Sequence, residues 1–229
     1  MIVCCIIPAY QESRAVDQVV TISQKYCDMV VVVDDGSTDG TGQIAQDAGA
    51  TVLRHHQNRG KGAALRTGFA FAIKHQYDVI ITLDGDLQHN PHSIPRFLTH
   101  IKQGFDIVVG SRYSTRSEKM PFVRKLSNLI TTQALRVFFK IPVTDSQSGY
   151  RAFRRTVLER IPVRDDGFAA ETEILIDAQR AGFVISEVPI ATNYGDEESK
   201  IKARRDIAQW LLTLARNLIY RPRFFSHST

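Results

Sequence analysis

Asp84-Gly85-Asp86-Leu87-Gln88 is the stretch best equipped to do chemistry. It follows Val79 to Leu83, an apolar, β-branched run that reads as a strand. Residues i and i+2 at a strand end point the same way, so Asp84 and Asp86 can approach one cation, with Gln88 offering an amide oxygen. An all-oxygen set of this kind suits Mg²⁺ or Mn²⁺, which complete an octahedral shell with water and phosphate oxygens. Without a cation the two carboxylates would repel, and one would be driven toward protonation. A helix cap followed by a turn uses the same residue types and is the competing reading.

Other motifs fail on spacing. An EF-hand needs an acidic residue or Asn at its fifth position and Gly at its sixth, where this chain has Gln88 and His89. Gly60-Lys61-Gly62 is like part of a P-loop, but His55 stands where the first Gly belongs and Gly62 replaces the Ser/Thr after the lysine. Gly40 to Ala45 fits GxGxxA, yet Asp34 to Asp39 separate it from the end of its strand at Val33, which is wrong for a dinucleotide turn. His89 and His92 could serve as metal ligands, but they read first as surface histidines beside a helix start.

The elements that position these residues alternate. Val3 to Ile7, Val30 to Val33, Thr51 to Leu53, Val79 to Leu83 and Ile107 to Val109 read as strands, and the stretches around 14–26, 38–48, 61–75 and 92–103 as helices. Near-continuous apolar strands with helices between them predict an α/β fold, a parallel sheet covered on both faces. Ligands of such sheets lie beyond the carboxyl ends of the strands. Four polar loops, Pro8 to Glu12, Asp34 to Asp39, His55 to Lys61 and Asp84 to Gln88, should therefore share one edge. After Arg112 the pattern changes to a basic loop, an apolar helix at about 122–139, a polar turn at Asp145 to Gly149 and a strand ending in Val184 to Pro189. A last helix is expected from about Ser199 to Tyr220, with Ile207, Trp210, Leu211, Leu214 and Leu218 at helical spacing.

Composition narrows the class. In 229 residues, 43% are apolar and 23% charged, which excludes wholesale disorder, and no apolar run approaches the roughly 20 residues of a membrane span. The chain enters a strand at once, so no secretory signal is expected, and three cysteines argue for a reducing compartment. The net charge of +5 is concentrated: residues 112–125 carry +4, residues 196–229 carry +3, and the remainder carries −2. Two basic stretches on a slightly acidic body point to a local anionic partner and away from nucleic acid.

The loops, taken in order, resemble a known family. Pro8-Ala9-Tyr10-Gln11-Glu12, Val33 to Thr41, Asn58 to Ala64 and Asp84 to Gln88 are similar to the motifs of the inverting GT-A fold glycosyltransferases of family 2. Gly110 to Tyr113, Asp145 to Phe153 and Glu187 to Ile190 look like its polyprenyl-phosphate branch, which includes the dolichol-phosphate mannose synthases. The resemblance covers roughly residues 3–206 and implies a GT-A, Rossmann-like, mostly parallel sheet. It makes residues 1–206 the catalytic domain and 207–229 an amphipathic helix with a basic tail. It implies transfer of mannose or glucose from GDP-mannose or UDP-glucose to a polyprenyl (dolichyl) monophosphate. Pro8, Tyr10, Glu12, Asp35, Lys61 and Asp84 would bind the nucleotide, and Asp84, Asp86 and Gln88 the Mg²⁺ or Mn²⁺ ion. Arg112, Arg124, Ser127 and Arg205 would hold the acceptor phosphate, with Asp86, Arg112 and Arg124 as the catalytic residues.

An acceptor phosphate is already anionic and needs no general base, whereas a sugar hydroxyl does. Glu171 or Glu173 could supply one, so a hydroxyl acceptor in glycan or polysaccharide synthesis stays open. The apolar stripe of 207–218 and the arginines around it are expected at the cytoplasmic membrane face or on a small membrane-anchoring subunit. Packing on the sheet would account for the same stripe.

Overall fold

A computed structural model describes residues 1–112, 122–167 and 169–192, the side chains of 122–127 excepted. Strands β1 (Val3–Ala9), β2 (Met29–Asp34), β3 (Thr51–Arg54), β4 (Val79–Thr82), β5 (Ile107–Ser111), β6 (Arg151–Arg154) and β7 (Ile185–Pro189) form one sheet in the order β3-β2-β1-β4-β6-β5-β7. All run parallel except β6, which is antiparallel to both β4 and β5. The helices are α1 (Val16–Ser23), α2 (Thr41–Asp47), α3 (Lys61–Lys74), α4 (Ile94–Lys102), α5 (Phe122–Phe139), α6 (Arg155–Arg160) and α7 (Ala169–Arg180).

Alternation along the strands divides the core in two. Cys4, Ile6, Val31, Val33 and Ile80 face a layer that includes Leu65 and Phe69 of α3, Leu158 of α6 and Ile174 of α7. Cys5, Ile7, Val30, Val32 and Ile81 face Val16 and Val20 of α1 and Ile94, Phe97 and Ile101 of α4. With both faces covered, successive residues of β1, β2 and β4 are buried apart from Pro8 and Met29, which is why these strands read as near-continuous apolar runs. Each such Ile or Phe contributes about 1.5–3 kcal/mol by leaving water. Cys4 and Cys5 lie on opposite faces, and all three cysteines are free thiols.

Several boundaries shift for identifiable reasons. The helix expected over 38–48 starts at Thr41, because Gly40 takes a left-handed φ of 87° and ends the preceding turn. The expected helix over 92–103 is preceded by a 3₁₀ turn at Pro91–Ser93, where the Asn90 side chain accepts the His92 N–H at 3.0 Å. Strand β6 and helices α6 and α7 had no counterpart in the sequence reading. Among the described residues no helix is long and apolar enough to cross a membrane. The stretch expected to form the last helix, the basic tail and Arg205 lie outside the described residues.

Candidate active site

Parallel pairing brings the carboxyl ends of β1 and β2 level, with Ala9 opposite Asp34, so their loops leave from one edge. The first two loops are then sewn together. Gln11 N donates to Ser37 Oγ at 3.0 Å, Glu12 N to Thr41 Oγ1 at 2.9 Å and Ser13 N to Asp39 Oδ2 at 3.1 Å. Partial burial would raise the Asp39 pKa, but bonds from Thr41 and Ser13 outweigh it and hold it at about 2. The third loop hangs on Asp35. Its carboxylate is 2.6 Å from His55 Nδ1 and accepts Arg59 N at 3.0 Å and Gly60 N at 2.8 Å. Pro8 is partly buried at the end of β1, and Tyr10 stands at the rim, 39% exposed. Glu12 lies against the acidic loop, since a Cβ on Gly85 would sit 3.4 Å from its Cγ.

At the centre of the edge is a compact ion cluster. Lys61, at the start of α3, places Nζ 2.6 Å from Asp84 Oδ1 and 3.0 Å from Glu171 Oε1 of α7. Burial alone would push the ammonium toward deprotonation, but the Asp84 and Glu171 carboxylates outweigh it and hold its pKa above the ordinary lysine value. Burial likewise acts to raise the Asp84 pKa, and Lys61 overrides it to hold the carboxyl at about 2. Gly149 closes the cluster from β6. A Cβ there would lie 2.6 Å from Lys61 Nζ, 2.9 Å from Glu171 Oε1 and 3.0 Å from Asp84 Oδ2. The N-terminus of α3 is not a phosphate cradle, because Gly62 N and Ala63 N both donate to the Asp166 carbonyl, at 2.8 and 3.3 Å.

Asp84 and Asp86 do not stand on a strand end as expected. Strand β4 stops at Thr82, and the acids occupy a turn in which Leu87 takes φ 58° and Asp86 Oδ1 accepts Gln88 N at 3.0 Å. His89 is a second correction: it is 3% exposed, not a surface residue, because its backbone bridges to Thr192 and its ring sits beside Tyr150. Burial pushes its imidazole down to about 4 against the pull of Asp84, so it is neutral at pH 7. His92 does lie at the surface, 2.7 Å from the Tyr26 hydroxyl.

Arg112 reaches the edge from β5, and its guanidinium is paired with a buried carboxylate. Nε and Nη2 contact Asp145 at 2.6 and 2.8 Å, and Asn128 Nδ2 donates to the same carboxylate at 2.7 Å. Burial would raise the Asp145 pKa, and the Arg112 bonds reverse this and lower it. Arg151, buried among carbonyls, donates to Ser148 O at 2.8 Å, Ser146 O at 2.8 Å and Glu171 O at 2.5 Å. It thereby fixes the 145–149 turn against α7. Arg124 and Ser127 fall within α5, and their side chains lie outside the described residues.

Residues 4–162 match the family described as Glycosyl transferase family 2. The chain belongs to that family. Its fold is shared with glucosyl-3-phosphoglycerate synthase from Mycobacterium tuberculosis, solved with Mn²⁺, UDP-glucose and phosphoglyceric acid, with a TM-score of 0.79, 22% identity and coverage of 96% of this chain and 81% of that one. Over 198 residues it is 32% identical to a polyprenol monophosphomannose synthase from Mycolicibacterium smegmatis, across 81% of this chain and 75% of that protein. Over 212 residues it is 33% identical to a UDP-N-acetylglucosamine–dolichyl-phosphate N-acetylglucosaminyltransferase from Methanococcus voltae, across 82% and 84%. The protein is thus a family 2 glycosyltransferase with the GT-A, Rossmann-like fold.

The donor chemistry at the acidic turn of this glycosyltransferase fits a hard divalent cation. Asp84 is ionised, its Oδ1 holds Lys61, and Oδ2 is directed toward Gly149 and His89. Among the described residues no three His, Cys, Asp or Glu side chains are already gathered so as to hold a metal ion. An ion held by Asp84, Asp86 and Gln88 would therefore draw the rest of its shell from water and phosphate oxygens, as Mg²⁺ ordinarily does. Glu171 and Glu173, paired in the sequence reading, separate on α7. Glu171 joins Lys61 and Asp84, whereas Glu173 Oε1 takes Arg164 Nε at 3.0 Å in a second cluster with Asp177. Sequence reasoning gave no role to Asp145, Gly149 or Arg151. The polar turn itself was visible, but not the partners of Arg151 and Asp145, 20 and 33 residues away.

Proposed function

We propose that this glycosyltransferase moves a hexose, mannose or glucose, from GDP-mannose or UDP-glucose to a polyprenyl (dolichyl) monophosphate, with inversion. One observation carries the choice of acceptor: both glutamates able to serve a hydroxyl acceptor already hold cations, Glu171 on Lys61 and Glu173 on Arg164. A phosphate acceptor needs no base, and the named relatives act on polyprenol and dolichyl phosphate.

Pro8, Tyr10, Glu12 and Asp35 frame the base and ribose, the first two as apolar walls and the acids as hydrogen-bond acceptors. Asp84, Asp86 and Gln88 hold Mg²⁺ or Mn²⁺, which supplies Lewis-acid stabilisation of the leaving diphosphate. Lys61, beside Asp84, adds a second positive charge on the same side. Arg124, Ser127 and Arg205, with Arg112 held in place by its pairing to Asp145, gather the acceptor phosphate, whose negative charge would otherwise be repelled by the donor diphosphate. A phosphate oxygen attacks the anomeric carbon opposite the leaving diphosphate. The new C–O bond forms as the old one breaks, and the configuration inverts.

Residues 1–206 form the catalytic domain, and 207–229 make peripheral contact with the cytoplasmic membrane face or a small membrane-anchoring subunit. Exposed Leu129, Ile130, Val137 and Phe138 on α5 support a lipid-facing side near the acceptor stretch. The test follows labelled sugar into organic-extractable lipid with either donor. Glu171→Gln keeps an acceptor for Lys61, so transfer by it and by Glu173→Gln should fall less than about tenfold. A loss of about 100-fold or more, the usual scale for removing a general base, would favour the hydroxyl-acceptor reaction instead.

A further inference from the structure

The imidazole of His89 has no part in the mechanism above, yet the fold invests in it. Its ring lies beside Tyr150 at 5.6 Å, Tyr150 stacks on Phe97 at 4.3 Å, and its backbone is bridged to Thr192. So held, Nδ1 is buried without a hydrogen-bond partner among the described residues, a state that buried polar atoms rarely keep. The atom it faces is Asp84 Oδ2, 3.8 Å away, the oxygen that does not hold Lys61. That separation is too long for a hydrogen bond. It is within the roughly 4.2 Å that two atoms bonded to one ion at about 2.1 Å can span.

We propose that His89 Nδ1 is a nitrogen ligand of the divalent cation, sharing it with Asp84 Oδ2. The inference rests on the metal-dependent reading given above and adds a residue to it. An imidazole nitrogen is an ordinary ligand of divalent transition ions. It also softens an otherwise all-oxygen site, which favours a transition ion such as Mn²⁺ over Mg²⁺. Asp84 and His89 alone leave the shell open for Asp86, Gln88, water and phosphate oxygens.

The full chain is loaded with Mn²⁺ and inorganic pyrophosphate, a probe without nitrogen, and read by pulsed electron paramagnetic resonance. Directly bound imidazole gives a ¹⁴N modulation, expected in the wild type and absent in His89→Gln. Circular dichroism verifies that the variant is folded, and its Mn²⁺ affinity in the presence of pyrophosphate should fall about tenfold or more. Bound Mn²⁺ without ¹⁴N modulation in the wild type overturns the role of His89 and leaves the metal-dependent reaction standing. No bound Mn²⁺ at all overturns both.

Discussion

Gly149→Ala places one methyl group against three charged atoms. The new Cβ would meet Lys61 Nζ at 2.6 Å, Glu171 Oε1 at 2.9 Å and Asp84 Oδ2 at 3.0 Å, all short of an ordinary contact of about 3.4 Å. Lys61 is the most compressed and must retreat by roughly 0.8 Å. Lengthening its 2.6 Å contact with Asp84 by that amount weakens the pair by roughly 1.5 kcal/mol at an effective dielectric of about 20. Overpacking of the surrounding side chains adds about 1–3 kcal/mol. The total, about 3 kcal/mol, corresponds to a fall in Tm of roughly 6–12 °C for a domain of this size. Displacing Lys61 and Asp84 by such a distance should also lower kcat by about 100-fold. Gly104→Ala is the comparison, because no atom lies within 4 Å of its Cβ but its φ is 105°. That variant should lose about 1–2 kcal/mol to backbone strain and keep its kcat. Thermal melts and steady-state transfer assays on both variants decide the matter. A Gly149→Ala protein with wild-type Tm and kcat would refute the steric reasoning.

Asp86→Asn keeps the oxygen that accepts Gln88 N, so the turn should persist, while transfer drops by at least about 100-fold through loss of charge toward the cation. Undiminished turnover would remove Asp86 from the metal site. Asp145 has a lowered pKa in the fold, so the unfolded chain takes up its proton first as pH falls. Its stabilisation is therefore present above the ordinary carboxylate pKa near 4 and lost below it. Asp145→Asn should flatten the acid limb of Tm against pH, and an unchanged slope would contradict the Arg112 pairing.

The catalytic edge was legible because β1 to β4 carry the plainest signal available, unbroken β-branched runs followed by polar turns. Parallel pairing then requires their loops to meet. Strand β6 was not legible, since Arg151-Ala152-Phe153-Arg154 is short and flanked by arginines. Its ladder with β4 and β5 comes from tertiary pairing, not from local propensity. Helix α7 was hidden by its burial on every side. Glu171, Glu173 and Asp177 look like a solvated face but are buried, their charges met by Lys61 and Arg164 from distant segments. Arg112 illustrates the same limit. An arginine beside a basic loop reads as a phosphate contact, and the sequence does not show that the same guanidinium is also paired with Asp145, 33 residues away.

The reversed direction of β6 divides the edge by chain polarity. Polypeptide running up β1, β2 and β4 delivers its loops after each strand, whereas β6 descends and delivers the 145–149 turn before it begins. Changes in length or sequence between α5 and β6 thus reshape one wall of the cleft while the register of the ascending strands stays fixed. Two neighbouring walls, built from opposite chain directions, can diversify independently on an unchanged scaffold.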